Sequence, residues 1–509
     1  MVSPPPRFRS LMLVAVVAAL AACTTPAAGP SATTEPPELT AEVTPPQGKT
    51  TVLDAPPGVG AAIAVSAQLF RRAPLVVVVA EGDAKGMATA SAVAGKAGAP
   101  VLLAAPGPAR DPLRRELARL SPRAIVAVGG AARESVRSNG TDAPVFGVEG
   151  TGAAPELPAD LPHVVPPTPV AVTVLVDRAR DDAAAVATAR AAGAAVVAVH
   201  GTDPRADPAA IEALHAAPPG AVLAVGGAFG PAERLRSRLT VAATGGQLPG
   251  GGQVVLSGRR LVCLYGHPGT ASLGVLGEQG VDAAVDRARQ VAKEYEPFSD
   301  VPVVPAFEII ATVAQGSAGA DGDYSGEASV ESLRPWVERA RETGLYVLLD
   351  LQPGRADLTA QARRYEPLLR MPHVGLAVDP EWKLGPDQLP LQQIGGIDAA
   401  EINRTAAWLA ALTAEHALPQ KLLVIHQFRL SMIRNEHALD TSHDELSLLI
   451  HMDGQGTTAQ KNATWRAVVN ARPEGMPLGW KNFYDEDHPM LTPAQTMAHE
   501  PKPLMITYQ

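Results

Sequence analysis

A chain of 509 residues is too long for one domain of ordinary size, so two large domains with short flanking segments are expected. The formal net charge of −9 is spread along the chain without a basic tract, which argues against nucleic acid as a partner. Only two cysteines are present, which excludes a framework of several disulfides.

The N-terminus has the layout of an export signal. Arg7 and Arg9 precede an apolar stretch from Leu11 to Ala22 that is too short to span a membrane as a helix. Residues 1–22 are therefore predicted to be a signal peptide. The stretch Leu20-Ala-Ala-Cys23 resembles a bacterial lipobox. This resemblance implies cleavage before Cys23, lipidation of its thiol and anchoring to the outer face of the cytoplasmic membrane. An ordinary signal peptide with a chance cysteine is the alternative.

The segment after the signal is predicted to be a tether. Residues 23–50 are rich in Thr, Pro, Ala and Glu, a composition that cannot bury enough apolar surface to order itself. They would hold the folded part away from the membrane as a disordered linker. Cys263 is the one remaining cysteine, so no intramolecular disulfide is expected. Its apolar neighbours predict an inert core residue.

Residues 51–250 show the rhythm of β–α–β units with a parallel sheet, because short apolar runs alternate with Ala-rich helical stretches. The pattern repeats at an offset of 97 residues, which relates Leu75–Val79 to Val172–Val176 and Val128-Gly-Gly130 to Val225-Gly-Gly227. Two Rossmann-like units in tandem are therefore predicted. Neither Gly-Gly pair lies in a GxGxxG or P-loop frame, so tight turns are expected there and not nucleotide loops.

The first unit also resembles a known repeat. Its Ala-rich helix ends in Gly98-Ala99-Pro100, a Val-Leu-Leu strand follows, and Ile125-Val-Ala-Val-Gly-Gly130 comes later. This arrangement is similar to the second type of cell-wall-binding repeat, found in tandem on exported proteins of Gram-positive bacteria. The resemblance extends over residues 60–245 and is looser in the second unit, where Ala194-Ala195 replaces the Ala-Pro pair. It implies attachment to anionic cell-wall polymers and not catalysis.

A second domain is predicted over residues 251–509. Eight apolar runs alternate there with seven helical stretches, the pattern of a (β/α)8 TIM-like barrel that lacks its last helix. The predicted strands are residues 261–264, 303–309, 345–351, 374–378, 421–428, 446–452, 478–483 and 504–508. The predicted helices are residues 278–295, 330–343, 357–369, 398–416, 429–440, 457–470 and 492–499.

Polar residues stand at the carboxyl ends of the predicted barrel strands, which is where the chemistry of such barrels is found. Three pairs of them are two residues apart, a spacing that places both members on one face of a strand. These pairs are Asp350/Gln352, Asp379/Glu381 and His451/Asp453. Because so many polar strand ends converge on one rim, a functional pocket is predicted there.

Carboxylates on neighbouring strands suit general acid/base chemistry on a glycosidic bond. Glu381 is the predicted proton donor, and the predicted nucleophile or base is Asp453, Asp350 or Asp485. Asp379 is predicted to orient or to bind. The other predicted substrate-binding residues are Tyr265, His267, Glu308, Gln352, Trp382, His426, Gln427, His451, Lys481, Tyr484 and Asp485. At fold level the barrel is similar to the glycoside-hydrolase-like barrels of actinobacterial lipoproteins, and it matches no catalytic signature of a defined family.

Three functions stay open at this point. The first is hydrolysis of envelope polysaccharide without a cofactor, the second is non-catalytic ligand binding or a scaffold role, and the third is metal-dependent hydrolysis. The ligand types that zinc or manganese accepts are present as His267, His426, His451, Asp350, Asp379 and Asp453, but in no HxH or HExxH spacing. The expected partners are the membrane, through Cys23, cell-wall polymers and a small carbohydrate ligand.

Overall fold

The computed structural model describes residues 38–105 and 111–509. The predicted signal peptide, Cys23 and most of the predicted tether lie outside the described residues. Residues 39–509 form one compact unit. In the part of the chain that the structure describes, no helix combines the length and the apolar character needed to cross a membrane.

Two four-stranded sheets are built from the short Val- and Ala-rich runs, and every strand pair within them is parallel. The first sheet has the order Val101–Ala104, Leu75–Ala80, Ala124–Val128 and Val145–Val148. The second has the order Ala195–Val199, Thr173–Asp177, Val222–Val225 and Thr50–Leu53. The helices of this two-sheet part are Val59–Leu69, Ala84–Ala97, Asp111–Leu120, Gly130–Ser138, Ala183–Ala191, Pro208–Ala216 and Ala232–Ala242. The prediction of tandem parallel-sheet units is confirmed.

The fourth strand of the second sheet comes from the start of the described chain. Thr50–Leu53 pairs with Val222–Val225, Leu39–Thr40 pairs with Val164–Val165, and Glu42–Val43 pairs with a strand at residues 70–72. The prediction of a disordered tether as far as residue 50 is therefore wrong for residues 39–50. Composition alone underestimates how ordered this segment is, because strands far along the chain satisfy its backbone hydrogen-bonding groups.

Eight parallel strands close into a barrel, since the first strand pairs with both the second and the eighth. In chain order these barrel strands are Arg260–Gly266, Val303–Ala314, Tyr346–Leu351, Val374–Val378, Lys421–His426, Leu446–Met452, Leu478–Asn482 and Met505–Tyr508. A short strand, Ser325–Glu327, pairs antiparallel with the end of the second barrel strand. The predicted (β/α)8 architecture is confirmed in its eight-stranded sheet.

The helices of the barrel region are Val281–Tyr295, Val330–Thr343, Leu358–Arg364, Glu366–Leu369, Ala399–Glu415, Thr458–Ala471 and Pro493–Thr496. The helix predicted over residues 429–440 is wrong. Ile433–Arg434 pairs instead with Ile397–Asp398 as a short parallel ladder. Asn435 follows with a left-handed φ of 57°, a conformation that a continuous right-handed helix does not contain.

The lower, amino-terminal half of the barrel interior is apolar. Its inward-facing side chains form one buried cluster, which includes Leu261, Cys263, Ala306, Leu348, Ala377, Val424, Leu449 and Met505. The segment that leads into the first barrel strand packs against them through Leu248, Val255 and Leu256 and so closes this end. The two-sheet part also contacts this end, where Arg238 donates to Asp444 shortly before the sixth strand. The carboxyl end of the barrel is therefore the end available for a site.

Candidate functional site

One polar side chain from each barrel strand, or from the residue that follows it, faces the upper half of the barrel interior. Seven of them lie two residues after a member of the apolar cluster in the lower half, and Lys481 lies two residues after Gly479, so the two-residue period of a strand turns all eight to the same side. These eight residues, named here the polar ring, are Tyr265, Glu308, Asp350, Asp379, His426, His451, Lys481 and Thr507. All are at most 3% exposed. Polar groups this deeply buried require partners or a ligand.

His426 is the central member of the polar ring. Its Nε2 lies 2.9 Å from Glu308 Oε1, and its Nδ1 lies 2.9 Å from Asp453 Oδ2. Thr507 donates its hydroxyl to the second carboxylate oxygen of Glu308 at 3.1 Å. These contacts join the second, fifth, sixth and eighth strands into one hydrogen-bonded chain.

The charges in this chain stabilise one another. Burial lowers the pKa of His426, but the Glu308 charge and the hydrogen bonds to Asp453 and Glu308 outweigh it and raise that pKa well above its usual range. Burial likewise raises the pKa of Glu308, and His426 more than compensates, bringing it to about 2. Asp453 also has a lowered pKa, since its hydrogen bond with His426 overcomes burial. The result is an imidazolium between two carboxylates.

Tyr265 and Asp350 form a second polar pair, with the phenol donating to Asp350 Oδ2 at 2.9 Å. The Lys481 ammonium lies 3.5 Å from the centre of the Tyr265 ring, a cation–π contact. Burial raises the pKa of Asp350 to about 6 despite the nearby His426. Its Oδ1 is buried and has no hydrogen-bond partner in the part of the chain that the structure describes.

Asp379 and Glu381 follow the fourth strand and carry the most perturbed carboxyl groups. Burial, followed by the Glu381 charge, raises the pKa of Asp379 well above its ordinary value. Burial, followed by the Asp453 charge, raises the pKa of Glu381 to about 7. Asp379 is 3% exposed, and its Oδ1 lacks a hydrogen-bond partner within residues 38–105 and 111–509, whereas Glu381 is partly exposed at the rim. Glu381 is therefore a carboxyl that still holds its proton below about pH 7 and that a ligand can reach.

His451 is fully buried, and among the described residues neither of its ring nitrogens has a hydrogen-bond partner. Its ring meets that of His426 edge-on, with the centroids 4.9 Å apart. Burial lowers the pKa of His451 to about 3, so its imidazole is neutral. A neutral imidazole offers one lone pair and one N–H, and both are unsatisfied here.

Several predicted binding residues lie outside the polar ring and bond to their own loops. Gln352 Oε1 accepts from the backbone N–H of Ala314, and Gln427 donates to Glu436. His267 accepts from the backbone N–H of Gly269. The remaining rim residues are the partly exposed Trp382 and the exposed Tyr484 and Asp485.

The sequence pattern identifies seven of the eight ring members and misses Thr507. A threonine in a strand has no signal of its own, because β-branched residues are common there. The signal that would have found it is its position two residues after the inward-facing Met505.

The site holds more carboxyl groups than basic groups. Five carboxyl groups belong to it, Glu308, Asp350, Asp379, Glu381 and Asp453, against the two basic groups of His426 and Lys481. Burial first, and the neighbouring carboxylates second, raise the pKa values of three of these carboxyls, Asp350, Asp379 and Glu381. The arrangement can hold a proton on a carboxyl at neutral pH and can bind a positively charged group.

Comparisons with known proteins give a similarity to solved structures only, and the one described here is weak. No protein-family model matches the chain, and no curated protein matches it. Among solved structures, the dihydropteroate synthase of Burkholderia cenocepacia is similar over 49% of this chain and 85% of its own length, at 13% identity and a TM-score of 0.22. Similarity at this level carries no argument about the site.

A cavity of about 610 Å³ lies in the two-sheet part, away from the polar ring. Its lining includes the arginines Arg178, Arg180 and Arg190 and the aspartates Asp177, Asp181 and Asp182. Arg180 pairs with Asp182 at 2.7 Å. The three arginines and three aspartates of this lining balance in charge. The cavity therefore attracts charged ligands more weakly than the barrel site does.

Proposed function

We propose that the barrel is a hydrolase that cleaves a glycosidic bond by carboxylate acid/base chemistry. The observation that carries the proposal is the contrast between two carboxyl groups at one barrel mouth. Glu381 is partly exposed and keeps its proton up to a pH of about 7, whereas Asp453 is held ionised by His426, 2.9 Å away. Two carboxyl groups whose environments push their pKa values apart are suited to separate acid and base roles.

The proposed reaction assigns one step to each carboxyl group. Glu381 donates its proton to the glycosidic oxygen as the bond to the leaving sugar breaks. Asp453, with Oδ2 bonded to His426 and Oδ1 without a protein partner, acts as the nucleophile or as the base that takes a proton from water. Water supplies the hydroxyl of one product and the proton that restores Glu381. Burial, then the charge of Asp453 and, more weakly, that of Asp350 raise the pKa of Glu381 and so keep it protonated.

The proposed substrate is a polysaccharide of the cell envelope. Trp382 and Tyr484 at the rim offer aromatic faces of the kind that stack on sugar rings, and Tyr484 is 40% exposed. The predicted signal peptide, the predicted lipidation of Cys23 and the resemblance of residues 60–245 to cell-wall-binding repeats support this location. Under the proposal the protein is a lipid-anchored enzyme on the outer face of the membrane.

Non-catalytic ligand binding is the second candidate. The observation that favours it is the burial of Glu308, His426 and Asp453, which satisfy one another's charges. A network of this kind can exist to fix a binding pocket and not to react. In that case the barrel would hold a small sugar and release it unchanged.

The test compares the full-length protein with Glu381→Gln on cell-wall glycan and on oligosaccharides of defined linkage, with reducing ends measured. Glu381→Gln is expected to lower kcat by roughly 10²–10⁴, the usual contribution of a general acid. Glu366→Gln is the matched control, because Glu366 is a surface residue paired with Arg370. Binding without product in the wild type would favour the second candidate. Equal turnover by wild type and Glu381→Gln would refute the assigned proton donor.

A further inference from the structure

We propose that Glu308, His426 and His451 form a binding site for one divalent transition-metal ion, of the zinc or manganese class, in the upper half of the barrel. The proposal does not depend on the glycosidic chemistry above, because it concerns occupancy of the site and not turnover. It rests on the positions of the three side chains, on their hydrogen bonding and on the charge of the surrounding pocket.

The three side chains converge. One ligand atom from each lies within 4.8 Å of the others, and all three residues are fully buried on barrel strands. Glu308 Oε1 and His426 Nε2 are 2.9 Å apart. Ligands about 2.1 Å from a tetrahedral zinc ion lie roughly 3.4 Å from one another, so small side-chain rotations suffice to admit an ion. Two imidazole nitrogens and one carboxylate oxygen form the three-residue set of zinc sites that leave a coordination position open.

The second observation is the unsatisfied imidazole of His451. A buried polar ring without hydrogen bonds costs free energy that a metal–nitrogen bond would recover. The ring also has little freedom to turn elsewhere, because it lies between the His426 ring and the backbone of Gly479. The structure therefore holds a free nitrogen ligand next to a carboxylate and a second histidine.

The neighbours of the three ligands have the roles expected around a metal. Asp453 bonds to His426 Nδ1, which directs Nε2 toward Glu308, an arrangement typical of carboxylate–histidine–metal sites. Thr507 donates to Glu308 Oε2 and leaves Oε1 toward the ion. On binding, the ion replaces the proton between Glu308 and His426, and that proton passes to solvent. The positive charge also offsets the excess of carboxyl groups in the pocket.

A neighbouring set is the alternative position. Asp379, His426 and Asp453 also bring ligand atoms within 4.8 Å of one another. That set lies on the Nδ1 side of His426 and lacks a free imidazole. Variants of His451 and Asp379 therefore distinguish the two positions.

The test is a calorimetric titration of the chelator-treated full-length protein with zinc chloride and, separately, manganese chloride, followed by metal analysis after gel filtration. One ion per chain is expected. His451→Gln and Glu308→Gln should each weaken binding at least 100-fold. Thr507→Val, which replaces the hydroxyl with a methyl group, should weaken it about 10-fold. The control is His443→Gln, since His443 lies 3.5 Å from Asp440 in a loop before the sixth strand.

Cobalt(II) gives a second readout, because its visible spectrum reports the ligand set without any activity. A change of this spectrum in His451→Gln supports the site. No bound ion in the wild type, equal affinity in His451→Gln, or loss of binding only in Asp379→Asn would each overturn it. Glu381→Gln is expected to retain the ion while losing hydrolysis, so this proposal and the proposed function fail separately.

Discussion

The ring of His451 lies directly against the backbone of Gly479, which stands opposite it on the seventh barrel strand. A Cβ atom at residue 479 would overlap Cδ2 of the imidazole and press against the side chain of Leu449. The imidazole can therefore occupy this part of the barrel interior only because residue 479 has no side chain.

Gly479→Ala is expected to destabilise the protein by about 1–3 kcal/mol, because the added methyl group overpacks a fully buried site. Urea denaturation at neutral pH measures the change. Gly454→Ala is the control, since a Cβ there would come no closer than 3.4 Å to another atom. Equal stability of both variants would show that the His451 ring has another rotamer available.

A second consequence concerns His426, which separates two buried carboxylates. His426→Ala is expected to cost roughly 3–5 kcal/mol at pH 7, because it leaves Glu308 and Asp453 charged, buried and unpaired. The triple variant His426→Leu, Glu308→Gln, Asp453→Asn removes all three charges and should recover much of that loss. Denaturant titration of the wild type, His426→Ala and the triple variant gives their free energies of unfolding and shows whether the triple variant recovers the loss.

The pH dependence of this loss has a definite sign. In the wild type, the raised pKa of His426 means that its contribution is complete below about pH 6.5 and fades only as pH rises through the raised value. In His426→Ala, the freed carboxylates can take up protons at low pH. The difference between variant and wild type should therefore shrink from pH 7 to pH 4. A constant difference would contradict the ion-pair account.

The barrel was predictable because its signals are local. Each strand is a short apolar run, and its two-residue alternation also forecasts which polar residues share a face. The non-helical conformation of residues 429–440 was not predictable from composition, because the pairing of Ile433–Arg434 with Ile397–Asp398 is a tertiary contact that overrides helix propensity. The pairing of Thr50–Leu53 with Val222–Val225 is non-local in the same way.

The site was predictable by residue type but not by role. Charged residues at strand ends stand out in a sequence, and so Asp379, His426 and His451 are found. Which of them pair is not encoded locally, since Glu308 and His426 meet across 118 residues. Gly479 matters only through its contact with His451, and so no local pattern identifies it.

The raised pKa of Glu381 predicts a pH-dependent stability. The unfolded chain ionises this carboxyl near its ordinary value of 4.5, while burial and the Asp453 charge delay ionisation in the folded chain to a pH of about 7. Between these values the folded state holds the extra proton, so stability falls as pH rises, by up to about 1.4 kcal/mol per pH unit. The charged groups that act on Glu381 are Asp453, Lys481, His426, Asp350 and Asp379.

Glu381→Gln should therefore flatten the decline of stability between pH 4.5 and pH 7, as followed by denaturant titration across that range. Asp350, with its pKa raised by burial to about 6, contributes part of the same decline and should leave a residual slope. Glu366→Gln on the surface serves as the control and should keep the wild-type slope. An unchanged slope in Glu381→Gln would show that its carboxyl ionises normally.

The contact between the two-sheet part and the barrel depends on Asp444. This carboxylate accepts from Arg238 Nε at 2.8 Å and lies 3.0 Å from the guanidinium of Arg205, which is 3% exposed. Asp444→Asn is expected to cost about 2 kcal/mol, less than a fully buried ion pair, because Asp203 still pairs with Arg205. Because the contact between the two parts is weakened, they should unfold in separate transitions in calorimetry. Glu445→Gln at the next position is the control, and one shared, unshifted transition in Asp444→Asn would contradict this role.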